Sequence, residues 1–90
     1  MSPSNAELLR SVQQDARIGR VTLTKHAREE MAEASALAPD VERAIRTATT
    51  IIQQPDGCLR LEGGSDTDGD SLIVVVKQIQ SGLLVVTVFA

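Results

Sequence analysis

The chain has 90 residues, 42% apolar and 23% charged, with 12 acids against 9 bases and a net charge of −3. This length fits one domain. The charge balance excludes a strongly basic nucleic-acid module, and one Phe without Tyr or Trp excludes a base-stacking surface.

Residues 1–4 are expected to be disordered, and residues 1–10 lack the basic and apolar regions of a signal peptide. Ser4 precedes Glu7 by three residues, the spacing at which hydroxyl and carboxylate satisfy opposite orphan amides. With Leu8, Leu9, Val12 and Ala16 at helical intervals, this predicts a helix from Asn5 to Arg17, ended by Gly19. Arg20 to Leu23 reads as a short strand or an extended link. Thr24 is an N-cap candidate, and Lys25 to Ser35 reads as a second helix with an apolar stripe at Ala27, Met31 and Ala34. Pro39 suits the first turn of a third helix. Its inner face is Val41, Ala44, Ile45 and Ala48, with Glu42 and Arg46 as an outer i, i+4 pair.

The second half changes to extended propensity. Ile51 to Gln53 and Cys58 to Glu62 read as strands around a Pro55-Asp56-Gly57 turn. Gly63 to Asp70 reads as a loop. Leu72 to Ile79 and Leu83 to Phe89 are the strongest strands, joined at Gln80-Ser81-Gly82. Their continuous apolar runs imply central strands covered on both faces, or one strand closing a dimer. Both runs fall far short of the roughly 20 residues that span a bilayer. Cys58 is the only cysteine, which fits a reducing cytoplasm. The expected architecture is α+β, with N-terminal helices packed on a curved antiparallel β-sheet.

His26 is the only histidine, placed on the first turn of the second helix beside Arg28 and Glu30. Glu30 at i+4 shares its face and can tune its proton affinity. A histidine between a cation and a carboxylate suits acid–base work in phosphodiester cleavage. The same residue can equally fix the helix start through a backbone or loop contact. Arg10, Arg17, Arg20, Lys25 and Arg28 put five of the nine bases between residues 10 and 28. Arg17, Arg20 and Lys25 are therefore candidate phosphate ligands, although solvated helix ends explain them too. Asp66, Asp68 and Asp70 resemble the start of a calcium loop, but Gly69 comes too early and no Glu closes the pattern, which leaves an inter-strand turn. Cys58 reads as a small buried hydrophobe. No zinc spacing, phosphate loop or serine triad motif occurs, so neither metal nor cofactor is expected.

The segments Thr24-Lys25-His26-Ala27-Arg28-Glu29-Glu30-Met31 and Pro39-Asp40-Val41-Glu42-Arg43-Ala44-Ile45 form part of a larger pattern. It continues through Pro55-Asp56-Gly57, the Gly63 to Gly69 loop and Leu84-Val85-Val86-Thr87-Val88. As a set they resemble the bacterial family known as domain of unknown function 4258, over roughly residues 7–89. That family is similar in topology to RelE/ParE-like toxins and other small bacterial ribonucleases. The resemblance implies a RelE-like fold, and it matches His26 and Thr87 to positions that recur in the family. Arginines usual one turn after the histidine and beyond are here Glu30 and Ala34. Glu30 reverses the sign toward an anionic backbone.

Two functions follow as expectations. The first is a non-catalytic interaction module that uses the late strands, with a homodimer or an antitoxin-like protein as partner. The alternative is a metal-independent, toxin-like ribonuclease or RNA-binding protein, with His26, Arg28 and Thr87 as its catalytic set. Either is expected in the cytoplasm, without a membrane partner.

Overall fold

The computed structural model describes residues 3–90. Met1 and Ser2, part of the segment expected to be disordered, lie outside them. Helix α1 (Asn5–Arg17) starts at Ser4, whose hydroxyl accepts the Glu7 N–H at 3.2 Å. The Glu7 carboxylate receives the Ser4 hydroxyl and not its amide, so the reciprocal box is half formed. Gly19, at φ +76°, turns the chain into the short strand β1 (Val21–Leu23).

Helix α2 (Lys25–Glu33) is capped by Thr24, whose hydroxyl accepts the Ala27 N–H. It ends earlier than the sequence predicts. Ser35 takes a left-handed turn at φ +55°, and the Ala36 N–H returns to the Met31 carbonyl. Ala34 is consequently exposed, and Ala36 joins Ala27 and Met31 in the core in its place. Helix α3 (Ala38–Thr47) begins after Leu37, which has no side-chain acceptor; the Asp40 carboxylate receives the Leu37 N–H at 2.8 Å instead. The expected Glu42–Arg46 ion pair is not formed among the described residues. Two long surface side chains gain little by holding one geometry.

Strands β2 (Thr50–Gln53) and β3 (Leu59–Glu62) form a hairpin over the predicted Pro55-Asp56-Gly57 turn, with Gly57 at φ +87°. Strands β4 (Ile73–Ile79) and β5 (Gly82–Phe89) form a second hairpin. The sheet order is β1-β5-β4-β3-β2. The fold is thus α+β, three helices with an open five-stranded sheet. Two expectations are corrected. The sheet is mixed, because β1 runs parallel to β5, and β1 stands between α1 and α2, so the helices are not all N-terminal. The β1–β5 pairing joins residues about sixty positions apart, across α2, α3 and the other three strands. No local turn signal reports such a pairing.

All three helices pack on one face of the sheet. Val12, Ala16, Ala27, Met31, Val41, Ala44, Ile45 and Ala48 meet Ile51, Leu59, Leu61, Val74, Val76, Leu83, Val85 and Val88 in one cluster. Fully buried side chains such as Ile45, Leu61 and Leu83 each contribute about 1.5–3 kcal/mol relative to exposure. The Gln13 amide ties α1 to the end of α3 by donating to the carbonyls of Ile45, Arg46 and Ala48. The contact of α3 with the loop between β3 and β4 is tight as well: a Cβ on Gly64 would collide with the Ala44 carbonyl.

Strands β4 and β5 are central, as their apolar runs predict. They are not both covered on two faces by helices. The register slips between Val75 and Val76, where β5 carries an extra residue at Val86. Such a bulge resets the alternation. Leu83, Val85 and Val88 therefore enter the core, while Leu84, Val86, Thr87 and Phe89 face away from the helices, each half-buried.

Candidate functional site

Helix α2 begins where β1 ends, and its Thr24 cap is bonded to β5. The Thr24 N–H and hydroxyl both donate to the Val85 carbonyl, at 3.1 and 2.9 Å. One turn on, Glu30 reaches the same strand. Its Oε1 accepts the Val88 N–H at 3.0 Å and lies 3.3 Å from His26 Nε2. His26 is on the outer side of α2, with 65% of its side chain exposed against 23% for Glu30. Glu30 thus does a job on β5 that explains an acid at this position: it satisfies an edge amide beyond the end of the three-residue β1.

The other candidates lie on several elements. Arg28 lies exposed on α2, with no ion pair among the described residues. Thr87 sits on β5 opposite Val75, with no hydrogen bond to His26 among the described residues. Arg17 is exposed in the last turn of α1, and Lys25 is exposed in the first turn of α2. Arg20 is engaged: its guanidinium donates to the Ser81 carbonyl at 3.1 Å and the Gln80 carbonyl at 3.2 Å. It closes the turn between β4 and β5.

The acidic loop is built on its own bonds. Asp66 Oδ1 accepts the N–H groups of Asp68 and Asp70, each at 2.9 Å. Asp40 accepts from the Thr67 hydroxyl and N–H as well as from Leu37, so those bonds hold its carboxyl below the ordinary value of 3.8. No group of three metal-ligating side chains occurs among the described residues. Cys58 is buried, and desolvation, followed by the nearby Asp56, pushes its thiol up. That agrees with its reading as a small hydrophobe.

A second feature is the sheet face that the late strands present, the surface the sequence offers for an interaction module. The face away from the helices carries Leu84, Val86, Phe89, Ile73, Val75 and Ile79 on the central strands, and Ile52 on β2. Ile52 is 41% exposed. Its charges are Arg60, Glu62 and Lys77. Arg60 Nε lies 2.6 Å from Glu62 Oε2, and its guanidinium is 5.0 Å from the centre of the Phe89 ring. To reach Phe89 on β5 from β3, Arg60 crosses β4 beside its cross-strand neighbour Val75. This accounts for Val75 being only 7% exposed on a face without helices. The alternation Leu59-Arg60-Leu61-Glu62 does signal which β3 residues face outward; the stacking and the bulge have no sequence signal.

Among the described residues no helix is long and apolar enough to cross a membrane. No curated protein and no solved structure matches the chain. A family model does match, over residues 23–90, from the last residue of β1 through the final strand. The span holds α2 with its Thr24 cap, the Asp40-anchored loop and four of the five strands. The chain therefore belongs to the family described as a domain of unknown function (DUF4258).

Proposed function

We propose that the chain is a non-catalytic interaction module that pairs with a second copy of itself through the helix-free face of its sheet. The observation that carries this reading is the apolar surface of β4 and β5 on that face, left without a covering element among the described residues. Sheets that pack face to face bury such surfaces about 10 Å apart. The charges on the face favour a two-fold arrangement. Lys77 lies two residues from Val75 in one direction along β4, and Glu62 lies two residues from the paired Arg60 in the other. A two-fold axis across the strands at Val75 brings Lys77 of each copy toward Glu62 of the other. Isologous interfaces have this self-complementarity.

The acid–base reading of His26 draws less support. Its polar neighbour Glu30 is committed to Val88, and Arg20 is committed to the β4–β5 turn. Light scattering over rising protein concentration tests the proposal. A dimer is expected, and Val86→Lys is expected to weaken it at least about tenfold, or 1.4 kcal/mol, with the far-UV spectrum unchanged. A chain that stays monomeric at millimolar concentration overturns it. So does RNA cleavage by the parent chain that His26→Ala abolishes.

A further inference from the structure

The edge of β2, together with a groove beside it, forms a second surface. Strand β2 is terminal in the sheet and pairs only with β3. The Gln54 N–H donates to the Cys58 carbonyl at 2.9 Å, which fixes the phase of the ladder. Backbone groups of alternate residues point to opposite sides of a strand. Thr50 and Ile52 therefore face β3, while the N–H and C=O of Ile51 and Gln53 face outward. Beside this edge runs the first half of α1. Between them lies a groove of about 320 Å³ lined by Asn5, Ala6, Leu9, Thr49, Thr50 and Ile51. None of these six is charged. The Gln53 side chain donates to Asn5 Oδ1 at 3.0 Å and bridges strand to helix.

We infer that this edge accepts an extended, uncharged peptide segment of another protein as a sixth strand. The chemistry selects the occupant. Two outward N–H groups and two outward carbonyls, spaced along one edge, are matched in register by a peptide backbone in extended conformation. A strand next to β2 sits about 4.8 Å away and leaves alternate side chains facing α1. Ala6 and Leu9 offer those side chains an apolar contact, and no cation on the wall invites an acidic ligand. A second copy would bring the same uncharged edge, and the dependence on protein concentration separates it from a peptide of another protein.

Exchange of backbone amides followed by NMR tests this, with the blocked, uncharged peptide acetyl-Thr-Val-Thr-Val-Thr-Gln-amide as probe. Its fully N-methylated form, which has no pairing donor, serves as control. The amides of Ile51 and Gln53 are expected to exchange fast in the free chain and about tenfold slower once about nine-tenths of the sites are filled. The N-methylated form should leave them unchanged. Ala6→Lys places a charge on the groove wall from an exposed helix position, and it should weaken the peptide at least about tenfold. Gln53→Pro removes one outward donor without touching the ladder to β3, and it should weaken the peptide relative to Gln53→Ala, which loses the same bond to Asn5 but keeps the donor. Three results overturn the inference. One is no protection by the peptide, and another is equal protection by the N-methylated form. The third is protection of Ile51 and Gln53 that rises with protein concentration alone, which would mean that a second copy takes the edge. None of these outcomes depends on the helix-free face, and Val86→Lys should bind the peptide normally.

Discussion

At one edge of the sheet, side chains occupy the backbone groups that β1 is too short to cover; at the other, β2 pairs with β3 alone. The first edge holds Thr24 on the Val85 carbonyl, Glu30 on the Val88 N–H, and Arg20 on the carbonyls of Gln80 and Ser81. Each is a polar side chain placed by α2 or by the link before it. The second edge, Thr49 to Gln54, has no charge and no proline of its own. Edge strands are ordinarily blunted by such residues. The contrast shows that beyond the short β1 polar side chains take up backbone groups of β5, whereas none does so for β2 among the described residues.

The comparison breaks most readily at Gly82. It starts β5 at φ +135°, and a Cβ there would collide with the Arg20 backbone. The Leu83 N–H bonds the Arg20 carbonyl at 2.8 Å, so this is where β1 first grips β5. Gly82→Ala is expected to cost about 2–4 kcal/mol through strain and lost close packing. Urea unfolding measures it, with about 4–8 °C of melting temperature per kcal/mol in a domain of this size. A cost under about 0.5 kcal/mol would mean that β1 does not sit tightly on β5.

Glu30 tests the same edge more gently. Glu30→Ala leaves the Val88 N–H without its acceptor, at an expected cost of about 1–2 kcal/mol. Glu30→Gln keeps a carbonyl oxygen and should recover part of that loss. If Ala and Gln cost the same, the contact to Val88 contributes nothing and the edge is closed by packing alone. Exchange of the Val88 amide, faster in Glu30→Ala than in the parent chain, gives a local readout of the same bond.

Much of this arrangement was legible in the residues, and the rest was hidden for physical reasons. Thr24 as an N-cap, the Pro55-Asp56-Gly57 turn and the inner face of α3 follow from local geometry, and local geometry leaves a local pattern. The i, i+4 spacing of His26 and Glu30 was visible, yet its meaning was not. Glu30 binds an amide 58 residues away, so next to a histidine it looked like a modifier of that histidine. The parallel β1–β5 pairing and the bulge at Val86 are likewise non-local. Without the bulge, the run from Leu83 to Phe89 reads as a strand apolar on both faces. With it, the same run divides into a core set and a surface set. The basic residues show the converse. Arg17, Arg20, Lys25 and Arg28 are close in sequence, yet they fall at the end of α1, just before β1 and in the first turns of α2, and Arg20 donates to the β4–β5 turn.

The smallest effect is expected from acid, and it probes the joint between the two halves of the sheet. The loop from β3 to β4 carries the open-edge hairpin β2–β3 onto the hairpin β4–β5, and Asp40 anchors that loop through Thr67. Because the Thr67 and Leu37 bonds favour the ionised form, the folded chain holds the Asp40 carboxyl below its ordinary value of 3.8. The unfolded chain then binds more protons between the two values, and stability rises with pH across that window. The contribution is complete above the ordinary value and is lost as pH falls through the lowered one. Asp40→Asn retains one acceptor and cannot ionise. Its urea midpoint should lie below that of the parent chain near about pH 6 and approach it as the pH is lowered through the acid range. A gap that stays constant with pH would mean that the loop is held by the shape of the Asp40 side chain and not by its charge. Chemical shifts of the Thr67 amide over the same titration separate the two cases. Under the charge account they follow the lowered Asp40 titration, and under the shape account they do not move with it.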